Sequence, residues 1–467
     1  MTQHFDLAII GSGSGNSLVT PDFDGKRVAV IEGGTFGGTC LNVGCIPTKM
    51  FVYAAEVATA VREAARYGVD ATLEGVRWAD VRDRVFGRID PISDAGRRYR
   101  QESPNTTAFL GHATFTGDRV LTVRLHDGRC ETITADQVVV AAGAHPVVPD
   151  VVAEAGLELG ALVHTSDTVM RIDELPSRLA IIGGGFIAAE MAHVFASFGV
   201  HVTVVARGSQ LLRHLDTDIS QRFTDLAREQ WDVRTGTNVT SVERGDGGAG
   251  VRLHLDSAAV VDADLLLVAT GRHANTAALG AEAGGLTVLD DGRLAVDAYG
   301  RTSAPGVWAL GDVSSPFQLK HVANAEARVI AHNLVHPDEP RRLPHDHVPS
   351  GIFSHPQIAT VGLTEQACVE QGRAHVAYVQ AYGDTAYGWA MEDRSSVCKL
   401  VADPTTGRLL GAHLMGPHAT SLIQPLVQAL ALDTPVDELA RGQYWIHPAL
   451  AEVVENALLG LRLDETA

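Results

Sequence analysis

Apolar and polar positions fall into blocks along the chain, and one block design occurs twice. Leu7 to Leu18 reads as an apolar strand, a glycine-rich turn and a helix of small residues, and Leu179 to Phe198 repeats that order. A second apolar strand follows each at helix-length distance, Val28 to Glu32 in the first and Val200 to Val205 in the second. Continuous apolar runs joined by a crossover predict two parallel βαβ units.

The rest of the pattern places these units. Ser166 to Pro176 is a polar transition, and Ala269-Thr270-Gly271-Arg272 marks the end of the second unit. Gly306 to Asp312 reads as a strand ending at an acid, and His336 to Pro349 as a proline-rich linker. From about Val348, strand-like alternation gives way to helices around Ser421 to Leu432 and Glu452 to Leu459, while 245–250 suits a hairpin turn. The predicted architecture is α/β, with two Rossmann-like dinucleotide-binding domains and a C-terminal α+β interface or dimerisation domain. Residues 1–150 and 269–345 form two parts of the first nucleotide domain, 151–268 the second, and 346–467 the last domain.

Composition narrows the class. A chain of 467 residues exceeds one hydrophobic core, and 45% apolar with 20% charged residues describes a folded globular chain. A formal net charge of −19 disfavours nucleic acid or an anionic membrane as a general partner. Phe5 to Ile10 already reads as a buried strand, so no export leader is expected, and no apolar run reaches the ~18 residues of a membrane span. The expected compartment is the cytoplasm, where a cysteine pair is more often catalytic or metal-binding than structural. Cys130, Cys368 and Cys398 are isolated and read as inert.

In the first unit, Gly11, Gly13 and Gly15 let the backbone turn tightly against a pyrophosphate, and Glu32 ends the next strand where an acid accepts ribose hydroxyls. The third glycine of G-x-G-x-x-G is replaced by Asn16, which predicts altered helix–strand packing. The second unit, Gly183-Gly184-Gly185-Phe186-Ile187-Ala188, fits G-x-G-x-x-A without departure. After its second strand stands Ala206 in place of a ribose-binding acid, followed by Arg207 and Arg213. Two guanidinium groups suit a 2′-phosphate, so the expected cofactor is NADPH; two solvated surface arginines are the plainer alternative.

Cys40 and Cys45 lie between a glycine-rich loop and a helix start. On a straight helix they would point to different sides, so a disulfide between them requires a distorted backbone, for which Gly44 and Pro47 provide, with regular helix from about Thr48 toward Tyr67. Cys45 then stands near a helix N-terminus, which favours thiolate. Zinc is the competing chemistry, but the spacing lacks a second Cys/His pair, so no metal is expected.

The segment Gly37-Gly38-Thr39-Cys40-Leu41-Asn42-Val43-Gly44-Cys45-Ile46-Pro47-Thr48-Lys49 resembles the active-site motif of the FAD-dependent pyridine nucleotide–disulfide oxidoreductases, and the resemblance runs over nearly the whole chain. Ala141-Ala142-Gly143 and Leu310-Gly311-Asp312 resemble the family's other flavin signatures, and His447-Pro448-Ala449-Leu450-Ala451-Glu452 its H-P-x-x-x-E. The resemblance implies FAD and NADPH as cofactors, a homodimer with shared active sites, and a small-molecule disulfide as substrate. It also implies residue roles: Cys45 as the thiolate facing the flavin, Cys40 as the interchange thiol, and Lys49 beside the flavin, paired with Glu190. His447 becomes the general acid/base oriented by Glu452, and Phe186 the aromatic gate. Thr39, Gly143, Gly271 and Asp312 complete the implied cofactor contacts. Within the family, the segments at 33–38, 49–56, 387–393 and 442–448 point to a reductase of a low-molecular-weight disulfide. Dihydrolipoamide dehydrogenase is the alternative, disfavoured by Ala206. A flavin redox sensor without turnover would be expected to lose part of the Cys40, Cys45, His447 and Glu452 set.

Overall fold

The computed structural model describes residues 2–463. Its first sheet has a parallel core. Strand Gln3–Ile10 pairs with Val28–Glu32 on one side and Cys130–Val140 on the other; Thr106–Gly117 extends the first edge and Val307–Ala309 the second. Strand Val120–Leu125 joins Thr106–Gly117 to Cys130–Val140 through two antiparallel pairings.

The second sheet repeats this plan. Arg178–Ile182 is central between His201–Ala206 and Leu265–Val268, with Asp232–Thr235 and Val163–Thr165 at the edges, all parallel. Beside it lies an antiparallel sheet of Val239–Arg244, Val251–Leu255 and Val260–Ala263, whose first hairpin turns at 245–250. Both parallel cores are built from strands buried on two faces, which is why they read as unbroken apolar runs.

The third sheet is antiparallel, in the order Ser350–Ile352, Ile358–Gly362, Leu409–Met415, Val397–Ala402, Val376–Ala381. Helices Gln424–Leu432 and Ala451–Gly460 carry Leu426, Leu430, Val453, Val454 and Leu458 in the apolar core of this domain. A separate core joins the two nucleotide sheets: Phe51, Trp78 and Phe86 of the first region pack with Phe195 and Phe198 of the second, Phe51 and Trp78 stacking at 5.1 Å. No helix among the described residues is long and apolar enough to cross a membrane.

One local expectation changes. The crossover of the first unit holds no α-helix: Ser14–Leu18 and Pro21–Phe23 are short 3₁₀ turns. β-branched Val19 and Thr20 and then Pro21 interrupt helical winding within two turns. The tighter winding also moves the close contact with the strand one residue earlier, from position 16 to Gly15. A Cβ at Gly15 would press on Ala141 and Ile9, whereas Asn16, in the fingerprint's third-glycine place, turns aside and accepts a hydrogen bond from Arg100 Nε at 2.6 Å.

Candidate active site

Two helices meet at the cysteine pair. Cys40 sits in the five-residue helix Gly38–Asn42, and Cys45 is the first residue of helix Cys45–Glu63, three positions earlier than the pattern predicts. The break falls at Val43 and Gly44. A side chain at Gly44 would crowd the Thr39 carbonyl oxygen at 2.9 Å and Cys40 Cα at 3.3 Å, so glycine is what lets the second helix start against the first. Asn42 ties the short helix down, its amide donating to the carbonyls of Phe36 and Gly38 at 3.0 Å each.

Both cysteines are free thiols here, and their environments differ. The Cys40 thiol donates to Cys45, which raises the Cys40 pKa above the ordinary range; burial adds to that rise, and the ammonium of Lys320 opposes it. The same hydrogen bond, followed by the Lys49 charge, holds Cys45 at about 7 against the opposing effect of burial. Above about pH 7 the pair therefore shares one proton, with the thiolate on Cys45 and the S–H on Cys40.

Lys49, one turn along the helix from Cys45, is clamped. Its ammonium lies 2.7 and 2.8 Å from the two oxygens of Glu190 and 4.4 Å above the Phe353 ring. Glu190 is buried on helix Phe186–Ser197 and also accepts the Phe353 N–H at 2.9 Å. Three separated parts of the chain thus converge on one ammonium.

The glycine turns form two matching cradles. Gly11 at φ 106° and Gly183 at φ 135° each bring the backbone against a neighbouring strand end, where a Cβ would collide with the Ala141 or Ala269 carbonyl oxygen. Gly13 touches Gly38, which brings the first cradle beside the cysteine segment and Thr39. Gly143, Gly185 and Gly271 border open space, Gly143 and Gly271 at φ 69° and 121°. These surfaces admit the close approach of a pyrophosphate or a ring system, so each cradle fits a dinucleotide.

The surrounding side chains agree with that fit. Glu32 accepts from Ser12 N at 2.8 Å, Ser12 Oγ at 2.6 Å and Gly34 N at 2.7 Å, an acid already set at the strand end. Asp312 is half-buried, its pKa raised by burial, and its carboxylate has no side-chain donor among the described residues. At the second cradle Ala206 is buried, where its Cβ would stand 3.0 Å from a side chain at Gly184. Arg207 and Arg213 are exposed and have no acidic partner among the described residues, and Phe186 is 45% exposed at the helix start.

His447 lies apart from these groups on an exposed segment. Its Nδ1 is 2.6 Å from Glu452 Oε1, and Glu452 Oε2 accepts the Ala449 N–H at 3.3 Å. The imidazole side chain is 71% exposed, alongside Tyr444 and Ile446.

Sequence reasoning missed several groups here. Lys320 donates to Ser14 Oγ at 2.9 Å, Glu326 accepts the Gly311 N–H at 2.7 Å and contacts His345 at 2.6 Å, and Arg272 donates to Asp167 at 2.8 Å and to the Ala144 carbonyl at 2.7 Å. Lys320 and Glu326 follow the Asp312 turn on helix Lys320–Val335, and their proximity to that turn was the available signal. Phe353 had none.

Comparisons with known proteins agree with this geometry. The family described as pyridine nucleotide-disulphide oxidoreductase matches residues 5–327, and its dimerisation domain matches residues 348–458. The chain is 56% identical to mycothione reductase of Mycobacterium tuberculosis, over 98% of this chain and 100% of that one. It is 34% identical to glutathione reductase of Burkholderia cepacia, over 96% and 97%. Among solved structures, the HOCl-induced flavoprotein disulfide reductase RclA of Escherichia coli, in its Cu(II) complex, superposes with a TM-score of 0.86 at 28% identity, covering 98% and 99% of the two chains.

Proposed function

The chain belongs to the pyridine nucleotide-disulphide oxidoreductase family and is a flavoprotein disulfide reductase; on that footing we propose that its substrate is mycothione, the disulfide of mycothiol, reduced at the expense of NADPH in the cytoplasm. The observation that carries the reading is the unequal cysteine pair at the head of the Cys45–Glu63 helix, set between two dinucleotide cradles. The four segments at 33–38, 49–56, 387–393 and 442–448, together with the full-length likeness to the mycobacterial enzyme, favour mycothione over other disulfides.

The cofactors, FAD and NADPH, supply hydride transfer and two-electron storage when bound. Gly11, Gly13, Gly15, Glu32, Gly143 and Asp312 would hold FAD; Gly183, Gly185, Phe186, Arg207, Arg213 and Gly271 would hold NADPH. The chain's own residues then manage protons and sulfur. Cys45, under the Lys49 charge and the helix N-terminus, stays thiolate. Cys40 cannot attack while its proton bridges to Cys45, so a base must take it. The groups acting most strongly on Cys40 are Cys45, which must itself stay thiolate for the second exchange, and Lys320, which is a cation. That supports a base from outside this site: His447 of the partner subunit, held by Glu452. Cys40 thiolate then attacks one substrate sulfur, the substrate S–S bond breaks, and the imidazolium protonates the departing thiolate. Cys45 thiolate next attacks the Cys40 sulfur, breaking the mixed disulfide and leaving the Cys40–Cys45 disulfide, while the second product departs as a thiolate that takes its proton from solvent.

Turnover tests the substrate: NADPH oxidation is followed with mycothiol, glutathione, trypanothione and lipoamide disulfides. Rapid turnover of mycothione alone is expected; rapid turnover of glutathione disulfide with none of mycothione overturns the assignment. Subunit mixing tests the shared site. Dimers of Cys40→Ser and of His447→Ala are each expected to be nearly inactive, and random exchange to restore about one quarter of wild-type sites. No recovery after verified exchange places His447 elsewhere.

A further inference from the structure

The segment that carries both arginines of the second cradle is gripped from the C-terminal domain. Lys399, on strand Val397–Ala402, is 2% exposed, and its ammonium lies 2.9 Å from Asp216 Oδ1, 2.7 Å from Asp218 Oδ2 and 2.6 Å from Glu365 Oε2. Asp216 is wholly buried; it caps helix Thr217–Gln230 through the Asp218 N–H, and its second oxygen accepts the Glu365 N–H at 3.1 Å. Gln366 adds two contacts: its amide donates to the Leu215 carbonyl at 2.8 Å, and its oxygen accepts the Thr217 N–H at 3.3 Å. Glu365 and Gln366 stand at the start of helix Glu365–Glu370, in the same domain as Lys399.

What these contacts hold is a strained turn next to the cradle. Leu212 is buried at φ 53°, a left-handed conformation that a leucine keeps only when its surroundings impose it. Its N–H donates to the Gly184 carbonyl of the cradle at 2.7 Å, and its carbonyl accepts from Ser220 Oγ at 2.8 Å and from the Leu215 N–H at 2.9 Å. Arg213 follows directly, and its Cδ lies 3.5 Å from where a side chain at Gly208 would begin, so the stem of Arg213 runs back toward the Arg207 end of the segment. An ion cluster around a buried Lys399–Asp216 pair adds little net stability over apolar packing, and its directional bonds constrain the turn.

We propose that Lys399 is a positioning residue for cofactor selection: with Glu365 and Gln366 it holds the Leu212–Asp216 turn so that Arg213 stands with Arg207 at the 2′-phosphate of the nicotinamide cofactor. This rests on the reading of Arg207 and Arg213 as the phosphate site. The dimerisation domain thereby acts on the specificity of the second nucleotide domain without touching the cofactor.

The test uses the FAD-loaded dimer, calorimetric binding of adenosine 2′,5′-bisphosphate and of 5′-AMP, and KM and kcat for NADPH and NADH. Arg213→Ala reports the phosphate reading itself, and Lys399→Met the clamp. Gln366→Ala, which strips two bonds without leaving a buried charge, keeps the test open if Lys399→Met fails to fold. Arg213→Ala and Lys399→Met are each expected to weaken the bisphosphate about tenfold and raise KM for NADPH correspondingly, with 5′-AMP, NADH and kcat within about twofold. Gln366→Ala is expected to give a smaller loss in the same direction, and Lys399→Arg to retain most of the discrimination. If Arg213→Ala abolishes discrimination while Gln366→Ala and any folded Lys399→Met keep it, or if a clamp variant weakens both nucleotides equally, the positioning role is overturned. If Arg213→Ala leaves discrimination intact, the phosphate reading itself falls.

Discussion

The two nucleotide cradles share a sheet plan and a glycine geometry, yet they obtain positive potential differently. Behind Gly185 runs the helix Phe186–Ser197, twelve residues whose aligned peptides direct free N–H groups and a positive dipole end at a bound phosphate. Behind Gly13 runs only the five-residue 3₁₀ turn Ser14–Leu18, too short for an appreciable macrodipole. There the nearby cations are side chains brought in from elsewhere, Lys320 on Ser14 Oγ and Arg100 on Asn16 at both its side chain and its carbonyl. The same glycine turn is thus compatible with a long helix or a short 3₁₀ turn behind it, and the placing of nearby cations is a separate choice.

The largest test separates the cradles outright. Gly11→Ala is expected to abolish flavin incorporation and all turnover, because the new Cβ meets the Ala141 carbonyl at a positive φ. Gly183→Ala is expected to keep FAD and lose its reduction by NADPH. Flavin content and stopped-flow reduction distinguish the two, and loss of flavin in both variants breaks the comparison. Next, Arg207→Ala with Arg213→Ala is expected to lower NADPH efficiency by at least roughly tenfold and to leave NADH efficiency near wild type, since each charge-assisted contact is worth about 1.5–3 kcal/mol. Equal losses with both cofactors would indicate folding damage.

Lys320→Met probes the first cradle's borrowed charge: FAD affinity, measured by apoprotein titration, is expected to fall by roughly tenfold. The same variant is expected to raise the pH at which Cys40 can be alkylated, because Lys320 favours its thiolate. Cys45 in the reduced enzyme is expected to gain reactivity toward iodoacetamide as pH rises through about 7, the thiolate being present above that value. Reactivity that is flat across this range would contradict the shared-proton arrangement. The smallest effect is expected from Asn16→Gly, which restores the fingerprint glycine but removes the 2.6 Å bond from buried Arg100. It is expected to cost about 1–3 kcal/mol of stability by denaturant unfolding while FAD remains bound.

Much of this arrangement is written in short stretches of sequence. A glycine turn after an apolar strand depends on residues within one βαβ unit, and in both units the strand and its tight glycine turn stand where that local pattern puts them. The short 3₁₀ turn did not, because a run of small residues leaves helix type open and Val19, Thr20 and Pro21 decide it only when their backbone preferences are summed. The start of the cysteine helix shifted from Thr48 to Cys45 for a related reason: Pro47 is compatible with the first turn of a helix, so it marks the beginning within three residues and no more closely.

By itself the sequence determined the two parallel units, the cysteine pair with its glycine between, and the choice of arginines over an acid after the second unit. Each of these depends on residue type at short spacing. Only the tertiary structure decided which distant groups meet: Phe353 on the Lys49–Glu190 pair, Lys320 at Ser14, Arg100 at Asn16, and Lys399 among three carboxylates. The physical reason is that a buried charge must find its partner wherever packing brings one within about 3 Å, and that requirement leaves no periodic mark along the chain.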